Sequence, residues 1–319
     1  AHGDAAQGER MSAEALAVGA PAGRVGRSFL DSERLLAVGG LTPAVVYIIA
    51  LVGFPFVLAV VMAFSDVTVG DPTLDFVGFQ TLRQVFDDAV FWRALRNTLV
   101  FTLVSNALVV VLATALALIL TKDFKGKWIV RLLVLLPWTT PVSLATITWL
   151  WTLDSIFSPI DWFLRQVGLL EGNMIWLGQP KLALASVIAV HTWRIVPLAA
   201  VIVMAGMLAI PTELRDASDI DGAGFWRRTF EIEIPLMAPI IGVAVLFGVI
   251  LSITDMTVVH VLTRGGPTNY TQVLASWAFY KGIEGGDLAQ GAGTALFLLP
   301  VLIAVAALIL RFARRREVL

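Results

Sequence analysis

Three ionisable side chains stand in stretches that are otherwise apolar: His191, Arg194 and Asp255. Such groups are costly at membrane depth and count as functional candidates by default. His191 and Arg194 are three residues apart, so a helix places them on one face. A guanidinium and a carboxylate are planar forks that grip polar groups through paired hydrogen bonds. Two readings follow. The three residues face the interior of a helix bundle and line or gate a path through it. Alternatively, Arg194 and Asp255 form a structural pair that fixes helix packing. Catalytic chemistries lack their residues. The chain has no cysteine, which removes disulfides, thiolate ligands and a cysteine nucleophile. Its three histidines, His2, His191 and His260, are too scattered for a metal site. Gly126-Lys127 is followed by Trp128, so there is no phosphate-cradling Gly-x-x-x-x-Gly-Lys-Ser/Thr loop and ATP hydrolysis is not expected. Neither a Gly-x-Ser-x-Gly elbow nor a His-Glu-x-x-His helix occurs, which argues against a membrane hydrolase.

The elements that must carry these groups follow from composition. Of the 319 residues, 58% are hydrophobic and only 15% charged. Soluble domains average about 45–50% and 25%, so lipid is the natural solvent for the excess. A formal net charge of −1 calls for no nucleic acid. A spanning helix needs about 20 mostly apolar residues. Six segments qualify, at about Leu41–Phe64, Leu95–Leu120, Ile129–Trp151, Leu182–Met207, Ala238–Val261 and Ala289–Leu310. The predicted class is therefore all-α, a polytopic transmembrane helix bundle of about six spans. Pro55, Pro137, Pro141, Pro197 and Pro300 predict kinks that packed neighbours can tolerate.

Lys and Arg gather on one side of these spans, at Lys122, Lys125, Lys127, Arg131, Arg215, Arg227, Arg228 and the arginines of both ends. Roughly twice as many fall there as on the other side, which predicts both termini in the cytoplasm. The first loop on the opposite side carries Asp66, Asp71, Asp75, Asp87 and Asp88. Residues 1–34 lack a continuous apolar run and read as a cytoplasmic tail rather than a cleaved leader, with the membrane domain over 35–319. Trp92, Trp149, Trp151, Trp162, Trp176 and Trp277 fall near the expected outer surface and Trp128 near the inner one, which reads as an aromatic belt. Thr98, Thr102, Ser105 and Asn106 read as interhelical hydrogen-bonding groups, and Thr146 and Ser252 also as minor path candidates.

One loop does not belong to the lipid. From Pro211 to Pro239 the chain is too polar to span and falls on the expected inner side. Pro211 suits the first turn of a helix, and Thr212 and Glu213 are favourable beside it. Leu214, Ala217, Ile220 and Ala223 recur every three residues and predict a short apolar stripe. Gly222 and Gly224 can end the helix. Ile232, Ile234, Pro235 and Leu236 lead back towards the membrane. A short amphipathic helix of this kind packs on a membrane surface or on a cytosolic protein.

The loop resembles the signature loop of binding-protein-dependent ABC importer permeases. Their pattern is Glu-Ala-Ala, three residues, Gly, nine residues, Ile, one residue, Leu-Pro. Here Asp216-Ala217-Ser218 stands for the first triplet, followed by Gly222, Ile232 and Ile234-Pro235, with Asp221 and Ala223 flanking the glycine. Asp, Ser and Ile replace Glu, Ala and Leu. Phe91 to Thr98, Trp193-Arg194 with Pro197, and Ala205 to Pro211 are similar to other stretches of these permeases. Leu262-Thr263-Arg264-Gly265-Gly266-Pro267 with Thr271 resembles an outer loop of the maltose-type branch, with Arg264 in place of a glycine. The resemblance covers about Leu41 to Leu310.

The resemblance implies an importer of a sugar, a di- or oligosaccharide, whose 211–239 loop is the coupling helix that docks on an ATPase. It assigns that contact to Glu213, Asp216, Ala217, Ser218, Asp221, Gly222, Ala223, Ile232 and Pro235. It further implies two ATPase subunits binding ATP and Mg, a second homologous permease subunit, an extracytoplasmic solute-binding protein and a bacterial plasma membrane. A glycerol-3-phosphate importer and an ion-coupled secondary transporter are the alternatives. The latter would want inverted repeats, and none is evident.

Overall fold

The computed structural model describes residues 33–316, with side-chain surroundings for 38–308 and 311. The expected tail over 1–34 lies outside them except for Glu33 and Arg34, which are helical. Among the described residues the chain is all-α, with one isolated bridge between Ser65 and Phe76. Two units divide it, one ending at Phe56 and the other beginning at Val57.

In the first unit α1 (Glu33–Ile48) continues through a π-turn at Ile49–Gly53. α2 (Phe54–Ala63) completes an apolar span over Val38–Ala63. The elements that follow are α3 (Gln80–Asp87), α4 (Ala89–Leu120), α5 (Lys127–Thr139), α6 (Val142–Thr152) and α7 (Pro159–Gln166). They continue with α8 (Pro180–Ala209), α9 (Thr212–Ile220), α10 (Ala238–Ile253) and α11 (Thr257–Thr263). The chain closes with α12 (Leu274–Phe279), α13 (Leu288–Leu296) and α14 (Leu298–Arg316).

The second unit is organised around α4 and α8, which make the most extensive helix pair. Asp88 starts α4, its side chain accepting from the Val90 N–H and satisfying an otherwise orphaned donor. Along α4 the buried positions Ala94, Phe101, Ser105, Val109, Ala113 and Ala117 recur every four residues or so and form one face. That face meets Ile195, Ala199 and Ala200 of α8 and Ala244 of α10. Small side chains let backbones approach where lipid supplies no hydrophobic drive between helices. Nearer the 211–239 loop, Ala117, Val203, Met207, Ile210 and Met237 close the core. At the opposite end Phe101, Val187, Val190, Val258, Val259 and Leu262 do so.

Four spans are single helices or nearly so: Val38–Ala63, Ala89–Leu120, Pro180–Ala209 and Leu288–Leu308. Pro197 lies inside α8 without breaking it. Two expected spans need correction. The one over Ile129–Trp151 is not a kinked helix but two, α5 and α6, set 96° apart. The break falls at Thr140-Pro141, where Thr140 is extended (ψ 136°) because a proline drives the preceding residue out of the helical region. The one over Ala238–Val261 stops at Ile253, and α11 starts afresh at Thr257. At its other end α10 is set 72° from the helical segment Phe225–Leu236.

The aromatic belt also needs one correction. Trp277 is 5% exposed and lies within the protein, its Nε1 donating to Asp88 Oδ2 at 3.1 Å beneath Lys281. It is an internal strut between α4 and α12. Trp92, Trp128, Trp151 and Trp162 are exposed.

Where α13 crosses the π-turn at Tyr280–Glu284, two glycines touch. A Cβ built on Gly291 would stand 2.5 Å from Gly282 Cα and 2.9 Å from the Ala278 carbonyl. Both are backbone and cannot yield without moving the turn. Gly291→Ala is therefore expected to cost about 1–3 kcal/mol, the usual penalty of overpacking. Thermal unfolding of the detergent-solubilised chain measures it as a lowered midpoint. Gly242→Ala, on α10 with no atom within 4 Å, should leave the midpoint unchanged or slightly raised, alanine being the better helix former.

Candidate functional site

The break between α10 and α11 is where the ionisable groups meet. Asp255 sits in it, 8% exposed, and its Oδ1 accepts from the Val258 N–H, which starts α11. Its Oδ2 faces α8 and meets His191 Nδ1 at 2.8 Å and Arg194 Nη2 at 3.0 Å. An ionised carboxylate only accepts, so His191 Nδ1 carries the proton between them. His191 is fully buried, with its ring against Phe101 of α4. Its Nε2 lies 2.9 Å from Ser252 Oγ, one turn before the break. Asn106 of α4 donates to the same hydroxyl at 3.2 Å, and Ser105 Oγ lies 3.4 Å from it. Three elements are thus tied through polar atoms in an otherwise apolar core: α4 by Asn106, α8 by His191 and Arg194, and the α10–α11 junction by Ser252 and Asp255.

Gly248 makes this approach possible, since a Cβ there would lie 2.1 Å from Asn106 Oδ1. Four buried polar atoms around the cluster have no hydrogen-bond partner among the described residues: Thr102 Oγ1, Asn106 Oδ1, Thr192 Oγ1 and Arg194 Nε. Buried polar groups are nearly always paired, so such a concentration marks a place with unmet hydrogen-bonding capacity. Arg194 retains 16% exposure of its side chain, against 0% for His191 and 5% for Asp255. It is the member of the trio that reaches out of the core.

Sequence reasoning placed His191 and Arg194 on one helix face and offered an Arg194–Asp255 pair, and the structure brings all three together. It ranked Ser252 as a minor path candidate and read Asn106 as an interhelical hydrogen-bonding group, and the two do bond to each other between α4 and α10. Both are polar residues within otherwise apolar spans, and the available signal was their combination with Gly248. Thr146 is buried on α6 and, among the described residues, bonds only to the Val142 carbonyl, outside this cluster.

The second feature is the loop around α9. Pro211 precedes the first turn and Glu213 lies within it. The helix ends on Gly222 (φ 72°) with two bonds, Ala223 N–H to the Ser218 carbonyl at 2.9 Å and Gly222 N–H to the Asp219 carbonyl at 3.1 Å. This is a Schellman closure, which requires a left-handed residue and so favours glycine. Asp216, Ala217 and Asp221 are exposed, whereas Ser218 is buried and bonds to the Arg215 carbonyl at 2.6 Å. Ala223 and Ile232 are half-buried and Pro235 is exposed.

α9 is held from behind by Arg215, which donates to the Met207 carbonyl at the end of α8 (2.7 Å) and lies 3.2 Å from buried Glu233. Arg228 reaches Asp219 at 2.8 Å. The outward face is left bare: Ile220 is 87% exposed, and Leu214 and Ala217 are exposed beside it.

The third feature is the loop after α11. Arg264, Gly265, Thr268 and Asn269 all have positive φ. Gly265 has no alternative there, because a Cβ would lie 2.1 Å from the Gln272 amide. Arg264 adopts the left-handed conformation (φ 50°) despite its side chain. The Gly266-Pro267 bond is cis. Thr271, fully buried, bonds to Thr263 Oγ1 and to the Gly266 carbonyl, both at 2.7 Å. The loop is then strapped to α4. Arg93 donates to the Thr268 carbonyl, Asn97 to those of Tyr270 and Gln272, and the Leu274 N–H to Thr98 Oγ1. The sequence marked both stretches without revealing that each serves the other.

Broken spans, a polar knot at a helix break and an anchored loop helix with a bare apolar face define a polytopic membrane transport subunit. The family of binding-protein-dependent transport system inner membrane components matches residues 109–318, and the chain belongs to it. It is 32% identical over 287 residues to the sulfoquinovosyl glycerol transport system permease protein of Agrobacterium fabrum, covering 89% of this chain and 92% of that one. It is 30% identical over 247 residues to the trehalose/maltose transport system permease protein of Thermococcus litoralis, covering 77% and 82%. A bacterial alginate ABC transporter, solved in complex with an alginate pentasaccharide-bound periplasmic protein, contains a chain that superposes with a TM-score of 0.77. The two are 20% identical over 91% of this chain and 98% of the other, which shows a shared fold.

Proposed function

We propose that the chain is the permease subunit of an ATP-driven sugar importer and forms half of its path, with a second homologous permease supplying the other half. The observation that carries this reading is family membership together with relatives named for sulfoquinovosyl glycerol, trehalose/maltose and diacetylchitobiose transport. A periplasmic binding protein delivers the sugar, the chain spans a bacterial inner membrane, and both termini face the cytoplasm. ATP and Mg bind to two partner ATPase subunits, not to this chain. The 211–239 loop is their coupling element, with Glu213, Asp216, Ala217, Asp221, Gly222, Ala223, Ile232 and Pro235 forming the contact, while Ser218, expected among them, is buried and holds the helix end from within. Asp216 and Asp221 offer charge, and the exposed stripe offers apolar area.

Of Arg194, His191 and Asp255, Arg194 lines the path in this reading and the two buried residues stand behind it. Arg194 presents donors towards it, and His191 and Asp255 fix that fork in place. The unmet polar atoms beside them suit a hydroxyl-rich solute, which can donate and accept at once. The same geometry serves helix packing, so the test must separate the two roles. Arg194→Lys keeps the charge that balances Asp255 and loses the fork. It is expected to leave assembly and thermal stability near the wild-type level. Its half-saturating concentration for sugar uptake in vesicles containing the whole transporter should rise about tenfold, equivalent to one lost bidentate contact. Unchanged uptake with normal assembly would leave only the structural role. Uptake driven by an ion gradient without any ATPase would overturn the importer reading itself.

A further inference from the structure

An apolar cavity at the α9 end of the molecule lies between the last three turns of α4 and the segment from Phe225 to Ile234. It has a volume of about 530 Å³ and walls that are almost wholly apolar. Val111, Ala115 and Ile119 form one wall, and Phe225, Trp226 and Phe230 the other. Trp226 and Phe230 stack with centroids 5.9 Å apart, and Val111 and Trp226 are more than 60% exposed.

Three polar residues interrupt this lining, Thr114 midway along α4, Lys122 and Thr229. Lys122 stands at one end, its Nζ 5.3 Å from the centre of the Phe225 ring. Among the described residues it has no carboxylate partner. Its neighbour Asp123 is taken by Lys127 at 2.5 Å, and that hydrogen bond holds the Asp123 carboxyl below its ordinary range. Thr229 also lines the cavity. It is 1% exposed, and its hydroxyl has no hydrogen-bond partner among the described residues.

The dimensions match a single lipid chain. From Lys122 to Val110 the α4 wall rises about 18 Å at 1.5 Å per residue. One leaflet contributes about half of a roughly 30 Å hydrocarbon core. A cation at the interfacial end, an aromatic shoulder beneath it and an apolar slot of one leaflet's depth fit an amphiphile with an anionic head. We propose that this cavity is a binding site for an anionic phospholipid. Its phosphate pairs with Lys122, its glycerol-ester region is met by the Thr229 hydroxyl, and one acyl chain fills the slot against Trp226 and Phe230.

Assignment to the inner leaflet rests on the cytoplasmic placement of the 211–239 loop. The site itself does not. A lipid held here touches the segment that joins α9 to α10, so its occupancy would stiffen the base of the loop.

Bromine on an acyl chain quenches a tryptophan that it touches, which makes Trp226 the reporter. The full chain is reconstituted in phosphatidylcholine vesicles doped with brominated phosphatidylglycerol or, separately, brominated phosphatidylcholine. The contribution of Trp226 is the difference from Trp226→Phe. The expected result is preferential quenching by the anionic lipid. Lys122→Gln should lower that preference about fivefold, the contribution of one lysine beside an anionic surface. Ala115→Phe, which fills the slot without touching the charge, should abolish it. Equal quenching of Trp226 by the two lipids overturns the proposal, as does a preference that survives Lys122→Gln. Because the chain lacks cysteine, Asp123→Cys with an impermeant maleimide reports which side that turn faces. An outside result would refute the loop's placement while the lipid preference stayed readable.

Discussion

Replacing Asp255 by alanine is expected to remove about 3–5 kcal/mol of stability, the usual cost of stranding buried charge by deleting one partner. The size follows from what remains. Arg194 loses its only carboxylate partner among the described residues, and the fully buried His191 loses the acceptor for its Nδ1 proton. The Val258 N–H at the start of α11 also loses its acceptor. The measurement is the unfolding midpoint of the solubilised chain, alongside the yield of assembled transporter. Asp255→Asn is the informative companion. It keeps an acceptor for His191 and for Val258 while removing the charge, so it isolates the ion pair from the hydrogen bonds. Arg194→Leu combined with Asp255→Leu should recover much of the loss, since apolar pairs of similar bulk often replace a buried ion pair at little cost. A double variant no more stable than Asp255→Ala would show that the hydrogen bonds to His191 and Val258 dominate.

Ile220→Asp is expected to leave the fold intact and to abolish productive coupling. At 87% exposure the side chain supports nothing within the chain. If α9 docks on an ATPase, burying that side chain contributes about 1.5–3 kcal/mol, and an aspartate in its place adds desolvation of a charge. The affinity of the solubilised permease for the ATPase should fall at least tenfold to a hundredfold, with sugar uptake falling alongside. The unfolding midpoint should stay within about 0.5 kcal/mol of wild type, as for surface substitutions generally. An unaltered affinity would remove Ile220 from the interface and weaken the assignment of the whole exposed face.

The spans were legible in the sequence because hydropathy reports what the backbone and side chains pay to enter lipid, and those costs are local. The breaks were not. Thr140-Pro141 signalled a disturbance, yet a 96° turn and a kink have the same composition, and only neighbouring helices decide between them. The interruption at Thr254–Met256 had no proline at all. It exists because Asp255 spends one carboxylate oxygen on a new helix start and the other on α8. His191, Arg194 and Asp255 stood out together, because ionisable groups in apolar runs are conspicuous and have few partners there but one another. Asn106 and Ser252 did not, since a single amide or hydroxyl in a span is ordinary. Trp277 was misplaced for a related reason: a tryptophan near an interface looks the same whether its N–H points to water or to Asp88.

The straps between the loop after α11 and the first turns of α4 carry a mechanical consequence. α4 is a single rod of 32 residues, roughly 48 Å long at 1.5 Å per residue. One tip is clamped to the loop through Arg93, Asn97 and Thr98, and the other lies beside Phe225 and Trp226, next to the base of α9. A rod with both tips engaged is a lever. Pivoted at one tip, it needs a tilt of only about 5° to sweep the other through about 4 Å. A small rotation imposed at the α9 end would therefore arrive at the distant loop as displacement, scaled by length alone and without any joint that could absorb it.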